Sequence, residues 1–314
     1  MITRVSTKDM SREIWLEHRK KSIGGSDAGS LLGLNPYTSP YALWAEKTGA
    51  IVPEDISDKE AVRLGNDLEQ YVAERFCEET GKKVQRCNAI LHNDQYIFAH
   101  ANPDRMVVGE NSGMECKTTS SFDVLKKCRD GEYPDTWYAQ CTHYMMVTGA
   151  ERWYLAVLVF GHGFFWFTIE RNQDEINALA AEEKDFWSLV ETKIQPPVDG
   201  MESTEKALKT IYRDSDGSKV DLLPLSVEIS TYLAAKKQRD DLEKIIQEQQ
   251  NRICSYMGAA EAGTCSNYKV SWKSQQRKTF DHKRFQNDNP NVPLDSYYNV
   301  STARPFKITE VSKN

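Results

Sequence analysis

The stretch from Asn102 to Ser120, NPDRMVVGENSGMECKTTS, constrains the fold of this chain more than any other. Arg105–Val108 is a short β-branched run, Gly109–Gly113 is rich in turn residues, and Met114–Thr119 has strand character again. The spacing predicts a hairpin. Because side chains alternate along a strand with a period of two, Lys117 shares a face with Glu115, and the hairpin brings Asp104 beside Glu115 at one edge of a sheet. Two clustered carboxylates are costly unless a cation sits between them, and their hard oxygens suit Mg²⁺ or Mn²⁺. A lysine two residues on can orient an attacking water or help to deprotonate it.

As a pattern these residues are PD-x10-ExK, the acid–acid–lysine set with which magnesium-dependent nucleases cut phosphodiesters. The same letters recur elsewhere without the same meaning. Pro134-Asp135 is followed by Glu182-Glu183-Lys184 and Glu191-Thr192-Lys193, but both lie in the helical pattern Asp174–Lys193, where i and i+2 face apart. Upstream, Arg63–Glu79 has Leu64, Leu68, Val72 and Phe76 at helical spacing, and Glu69 shares a stripe with Val72, Ala73 and Phe76. A carboxylate there wants a partner: a metal ion, a lysine or a backbone amide. Downstream, Asp135–Thr148 reads as a helix with Gln140 and Tyr144 on one face. Gln140 either holds a metal-bound water or the scissile phosphate, or it is simply satisfied by Tyr144.

Charge narrows the partners. The chain carries 40 Lys and Arg against 46 Asp and Glu, a net of −6, which does not suit coating DNA by bulk attraction. The imbalance is uneven: Ala259–Asn314 holds nine Lys/Arg against five Asp/Glu, a net of +4, leaving −10 for residues 1–258. Basic clusters at Arg19-Lys20-Lys21 and Lys126-Lys127-x-Arg129 either line a DNA channel or form solvated faces. Seven cysteines without a Cys-x-x-Cys pair argue against a disulfide framework and a zinc knuckle, and their spacing offers no ligand set for an iron–sulfur cluster. No apolar run approaches bilayer length and the N-terminal MITRVSTKDMSREIW lacks a signal-peptide stretch, so a cytoplasmic protein without a membrane partner is expected.

The organisation is legible from turn and cap signals. Ser39-Pro40 opens a helix that Gly49 closes. Arg152–Phe160 and Gly163–Glu170 are β-rich runs separated by Gly161-His162, a second hairpin, and the helix after it ends before Pro196-Pro197. The expected class is α/β, a mixed β-sheet flanked by helices over residues 1–198, then a linker at 199–223. A helical segment at 224–258, one helix or two, leads to a small basic module at 259–314 with a strand at Asn267–Trp272. Its aromatic and basic residues either track a nucleic-acid backbone or describe a docked β module.

In order along the chain stand Trp15-x3-Arg19, Ile23-Gly24-Gly25-Ser26-Asp27, Asn35-Pro36-Tyr37 with Ser39-Pro40-Tyr41-x2-Trp44, and Lys47-Thr48-Gly49. Gly65-x3-Glu69, Asn102-Pro103-Asp104, Glu115-Cys116-Lys117 and Gln140-x3-Tyr144 follow. Together they resemble the YqaJ-like viral recombinase family, the alkaline exonucleases typified by phage lambda exonuclease, within the PD-(D/E)xK superfamily. The resemblance spans residues 15–160 and thins after about residue 200.

That resemblance implies a restriction-endonuclease-like core, with a C-terminal helical and small β extension outside it. It implies metal ligation by Asp104, Glu115 and the backbone carbonyl of Cys116, with Glu69 contacting a second ion, and Mg²⁺ or Mn²⁺ as cofactor. Lys117 would activate the water with Gln140 assisting, and Arg19 and Ser26 would hold a terminal 5′-phosphate. Arginine suits phosphate through two parallel hydrogen bonds. Gly24-Gly25-Ser26 before a short helix at Asp27–Leu32 would offer amides to an anion, unless it is a plain turn with Ser26 as N-cap. The implied activity is 5′-to-3′ digestion of linear double-stranded DNA to mononucleotides. It leaves 3′ single-stranded tails for a single-strand annealing protein in phage recombination. A homo-oligomeric ring, most often a trimer, around DNA ends in a bacterial host is implied as well. The alternatives are a site-specific restriction-type endonuclease and an inactive DNA-binding adaptor.

Overall fold

The hairpin expected at 105–119 forms the centre of a five-stranded sheet in the computed structural model, which describes residues 1–290, 292–299 and 302–309. Strands β1 (Ile2–Ser6), β2 (Ile23–Gly24), β3 (Val84–Arg86), β4 (Ala89–Asn93), β5 (Ala99–Ala101), β6 (Arg105–Val107), β7 (Ser112–Thr119), β8 (Arg152–Val159) and β9 (Gly163–Glu170) build two mixed sheets. The larger has the order β3-β6-β7-β8-β9, parallel only at β7–β8, and the smaller runs β1-β4-β5-β2, parallel only at β2–β5. Helices α1 (Arg12–Lys20), α2 (Gly25–Leu31), α3 (Pro40–Lys47), α4 (Glu60–Thr80), α5 (Phe122–Arg129), α6 (Asp135–Thr148), α7 (Gln173–Thr192) and α8 (Glu202–Ile211) flank them. The architecture is α/β, mixed sheets covered by helices.

Two covered faces explain the composition of β8. Trp153, Leu155, Val157 and Val159 enter the main core, while Tyr154, Ala156 and Leu158 join the cluster under α4 with Val72 and Phe76. A strand buried on both faces is hydrophobic along its length rather than alternating. Helix α6 follows the same logic. Nine of its consecutive residues, Ala139–Val147, are buried, because it is wedged between the sheet and α2 and α7 and has no solvent stripe. Ser39 caps α3 as expected, its Oγ accepting from the Ala42 amide at 3.0 Å.

The boundaries differ from expectation in three places. Helix α2 begins at Gly25 rather than Asp27, so Ser26 sits in its first turn and Gly24 holds the cap position. The range expected as linker contains α8, because Ala207, Leu208 and Ile211 fall on one face and pack into the main core, and Thr204 Oγ1 donates to Ser39 Oγ at 2.7 Å. The first compact unit therefore runs Met1–Arg213 and includes the described residues of Arg304–Asn314, with Arg304 donating to the Tyr212 carbonyl at 2.7 Å. The expected module at 259–314 is divided accordingly, and its last residues, 310–314, lie outside the described residues.

The second unit, Asp214–Ala303, holds α9 (Ser226–Met257), a hairpin of β10 (Ala262–Cys265) with β11 (Tyr268–Ser271), and α10 (His282–Asp288). The polar gap at Lys236–Asp241 does not break α9, which is one helix of 32 residues with none buried. Among the described residues no helix is long and apolar enough to cross a membrane.

Candidate active site

The β6–β7 ladder ends at the pair Arg105–Met114, one residue short of Glu115. The next inward-facing amide, that of Cys116, has no strand partner on that side and donates instead to Asp104 Oδ2 at 2.8 Å. Within a strand, the N–H and C=O of one residue point to the same side. The Cys116 carbonyl therefore faces the Asp104 edge too. Alternation along β7 sends Met114 and Cys116 into the α4 cluster, and Glu115 and Lys117 to the opposite face, under α6.

There Glu115 Oε1 accepts from Lys117 Nζ at 2.8 Å and from Gln140 Nε2 at 2.7 Å. Lysine has only donors, so Gln140 must turn its Oε1 toward Lys117, and it accepts at 2.8 Å. Gln140 Nε2 also donates to the Tyr144 hydroxyl at 3.0 Å, the pairing expected if Tyr144 satisfies it. Glu115 Oε2 is buried without a hydrogen-bond partner. Burial, then the charge of Glu115, pushes the Asp104 carboxyl well above the usual carboxylate range, against the Cys116 amide bond that favours its ionised form.

A divalent cation fits this arrangement. It would partner the orphaned Glu115 oxygen and relieve the repulsion from Asp104, and the Cys116 main-chain carbonyl could add a third oxygen donor. Among the described residues no three His, Cys, Asp or Glu side chains form a metal cage. Two carboxylates and a carbonyl would be the donors available to such an ion, and Glu69 is engaged elsewhere. Its Oε1 takes a short contact from Arg105 Nη1 instead. Arg105 is buried, bonded also to the Asp104 carbonyl at 2.9 Å and to Gln70 Oε1 at 3.1 Å. Burial disfavours the Lys117 ammonium, but the charge and hydrogen bond of Glu115 outweigh it and raise its pKa.

Arg19 and Ser26, far from the hairpin in sequence, meet where α1 ends against the first turn of α2: Arg19 Nη2 donates to Ser26 Oγ at 2.6 Å. The guanidinium lies 4.9 Å over the Trp15 ring. Glycine is required here by close approach. A Cβ on Gly24 would stand 2.9 Å from His100 Nε2, and one on Gly25 2.5 Å from the Tyr144 ring. Tyr144 thereby links the two clusters. Its ring backs Gly25 and its hydroxyl holds Gln140. Burial, then Glu115 and Asp104, drive its pKa far up while Arg19 opposes them, so the hydroxyl feels both groups of charges.

Three features escaped the sequence reading. Arg105 follows Asp104 directly, and its position opposite the Glu69 stripe is its only signal. Asp27 and Lys47 form a buried ion pair at 2.5 Å across 20 residues of chain. His143 and Glu183 pair at 2.7 Å, both wholly buried, with His143 Nε2 on the His100 carbonyl at 2.8 Å. Glu183 belongs to one of the discarded Glu-x-Lys matches. It makes no hairpin site, as expected, yet is a core residue.

A family model described as the YqaJ-like viral recombinase domain matches residues 14–151. The protein YqaJ of Bacillus subtilis (strain 168) is 40% identical over 309 residues, covering 97% of this chain and 96% of that protein. Among solved structures, the alkaline exonuclease LHK-Exo from Laribacter hongkongensis in complex with dAMP has a TM-score of 0.50 at 19% identity, covering 58% of this chain and 94% of that one. A second crystal structure of LHK-Exo gives a TM-score of 0.49. The likeness to these structures is one of fold.

Proposed function

The chain belongs to the YqaJ-like viral recombinase family, and from that footing we propose that it is a Mg²⁺- or Mn²⁺-dependent exonuclease acting on linear double-stranded DNA. It shortens the 5′ strand, releases mononucleotides and leaves a 3′ single-stranded tail for an annealing protein. It works in the bacterial cytoplasm as a homo-oligomeric ring, most simply a trimer. The observation that carries the reading is the buried, unpartnered Glu115 Oε2 beside an Asp104 carboxyl held above its usual range.

Asp104, Glu115 and the Cys116 carbonyl would hold the first ion, and Glu69, once released from Arg105, would contact the second. Bound there, the ions supply Lewis-acid stabilisation of the charge that develops on the phosphate. Lys117 orients the attacking water through its ammonium, and Gln140 keeps Lys117 and Glu115 in register. Arg19 and Ser26 hold the terminal 5′-phosphate and so set the strand and polarity.

Digestion of 5′-labelled and 3′-labelled linear duplex, with and without chelator, tests this. The 5′ label should be released first as mononucleotide, only with metal present, while covalently closed circles stay intact. Lys117→Ala and Asp104→Ala should abolish digestion while folding is retained. Full activity in either variant removes the site, and cutting of circles moves the protein to the restriction class.

A further inference from the structure

Asp27 and Lys47 lie in the sequence blocks Gly24-Gly25-Ser26-Asp27 and Lys47-Thr48-Gly49, and the mechanism above gives neither residue a task. Their geometry gives them one. An ammonium has three donors, and those of Lys47 go to Asp27 Oδ2 at 2.5 Å, the Arg19 carbonyl at 2.7 Å and the Ser22 carbonyl at 3.0 Å. The Lys47 side chain is only 6% exposed and has no donor left for a phosphate. Asp27 is pinned through the same Oδ2, which also accepts the Gly24 amide at 2.9 Å. Its other oxygen, Oδ1, stands 3.6 Å from Arg19 Nη2. That distance is beyond a hydrogen bond but within an ion pair. It holds the guanidinium by charge without using any of the N–H groups left free by Ser26.

We propose that Asp27 and Lys47 are positioning residues that aim Arg19 at a terminal phosphomonoester, Lys47 fixing the Arg19 main chain and Asp27 its guanidinium. The inference rests on the phosphate pocket proposed above. A buried pair of this kind is weak evidence for stability, since apolar replacement is often neutral. What the pair supplies here is orientation, against the Trp15 ring on one side and Ser26 on the other.

Binding in chelator separates this role from catalysis. Fluorescence anisotropy would compare a DNA hairpin duplex bearing a 5′-phosphate with the same duplex bearing a 5′-hydroxyl. The wild type should prefer the phosphate, and Arg19→Ala should lose that preference. Absence of either result overturns the pocket and this role with it. With both obtained, Asp27→Asn/Lys47→Met, which leaves no unpaired buried charge, should lower the preference by about tenfold, the worth of one oriented charge-assisted hydrogen bond. Affinity for the 5′-hydroxyl duplex should be kept. In the Arg19→Ala background the same pair of substitutions should change nothing further. Lys47→Arg, which keeps the charge but cannot repeat the three-point contact, provides a second reading and should also weaken the preference. Full phosphate preference in either folded variant overturns the role.

Discussion

The substitution Gly25→Ala tests how the packing of α2 on α6 controls the site. A Cβ there would stand 2.5 Å from Tyr144 Cε1 and 2.8 Å from Cζ. Carbon atoms sit comfortably at about 3.5–4.0 Å, so the ring must retreat by about 1 Å. It has little room to do so. Tyr144 is 5% exposed and its ring centroid lies 5.1 Å from that of Trp153. Overpacking of this kind costs about 1–3 kcal/mol, and the helix propensity gained by alanine returns at most about 1 kcal/mol. In a domain of this size each kcal/mol moves Tm by about 2–4 °C, so the fall should be several degrees. The larger effect should be on rate. A displaced Tyr144 releases Gln140 Nε2 from its 3.0 Å bond, and Gln140 is what spans Glu115 and Lys117. A misplacement of about 1 Å can reduce turnover by about a hundredfold. Thermal unfolding and duplex digestion at fixed Mg²⁺ measure the two effects. Adding Tyr144→Leu should relieve the clash and recover Tm but not rate. Wild-type Tm and rate in Gly25→Ala alone would refute the coupling.

Three further outcomes are expected. Mn²⁺ at about a hundred times its Kd should stabilise the folded protein by about 2.7 kcal/mol, read as a rise in Tm, and Glu115→Gln should remove most of that rise; an equal rise in the variant would place the ion elsewhere. His143→Ala strands Glu183 in the core, where loss of one partner of a buried pair costs about 3–5 kcal/mol, so the urea midpoint should drop sharply, and a change within error would mean the pair is not buried in solution. Burial works to raise the Asp27 carboxyl, but Lys47, Arg19 and the Gly24 amide hold it far below the usual range. A depressed carboxylate contributes stability that is complete above its unfolded pKa of about 3.9 and lost as pH falls through the folded value. Asp27→Asn should therefore be less stable than wild type at neutral pH, with the gap closing below about pH 4. A gap that is constant down to pH 2 would contradict the ion pair.

Periodicity made much of this legible. The β6–β7 hairpin, α3 with its Ser39 cap, α6, α7 and the β8–β9 pair lie where local patterns place them, because each is a short-range consequence of alternation, capping or turn chemistry. α8 was missed because its apolar face is only Ala207, Leu208 and Ile211, too small a signal beside the polar residues around it. β10 was missed because Ala262–Cys265 has a single β-branched residue, Thr264, and no alternation, and its identity as a strand comes from pairing with β11.

From its residues alone the chain determines which side chains share a face: Glu115 with Lys117 along a strand, Gln140 with Tyr144 along a helix, Ser39 over the start of α3. These follow from backbone geometry within a few residues. Which faces meet is decided by tertiary packing. That Glu69 goes to Arg105, that Asp27 finds Lys47, that Glu183 reaches His143 and that Glu115 Oε2 is left without a partner depend on how buried charges are shared out once water is excluded. Each buried charge takes whichever opposite charge the packing brings within reach, and no local pattern in the sequence records that distance.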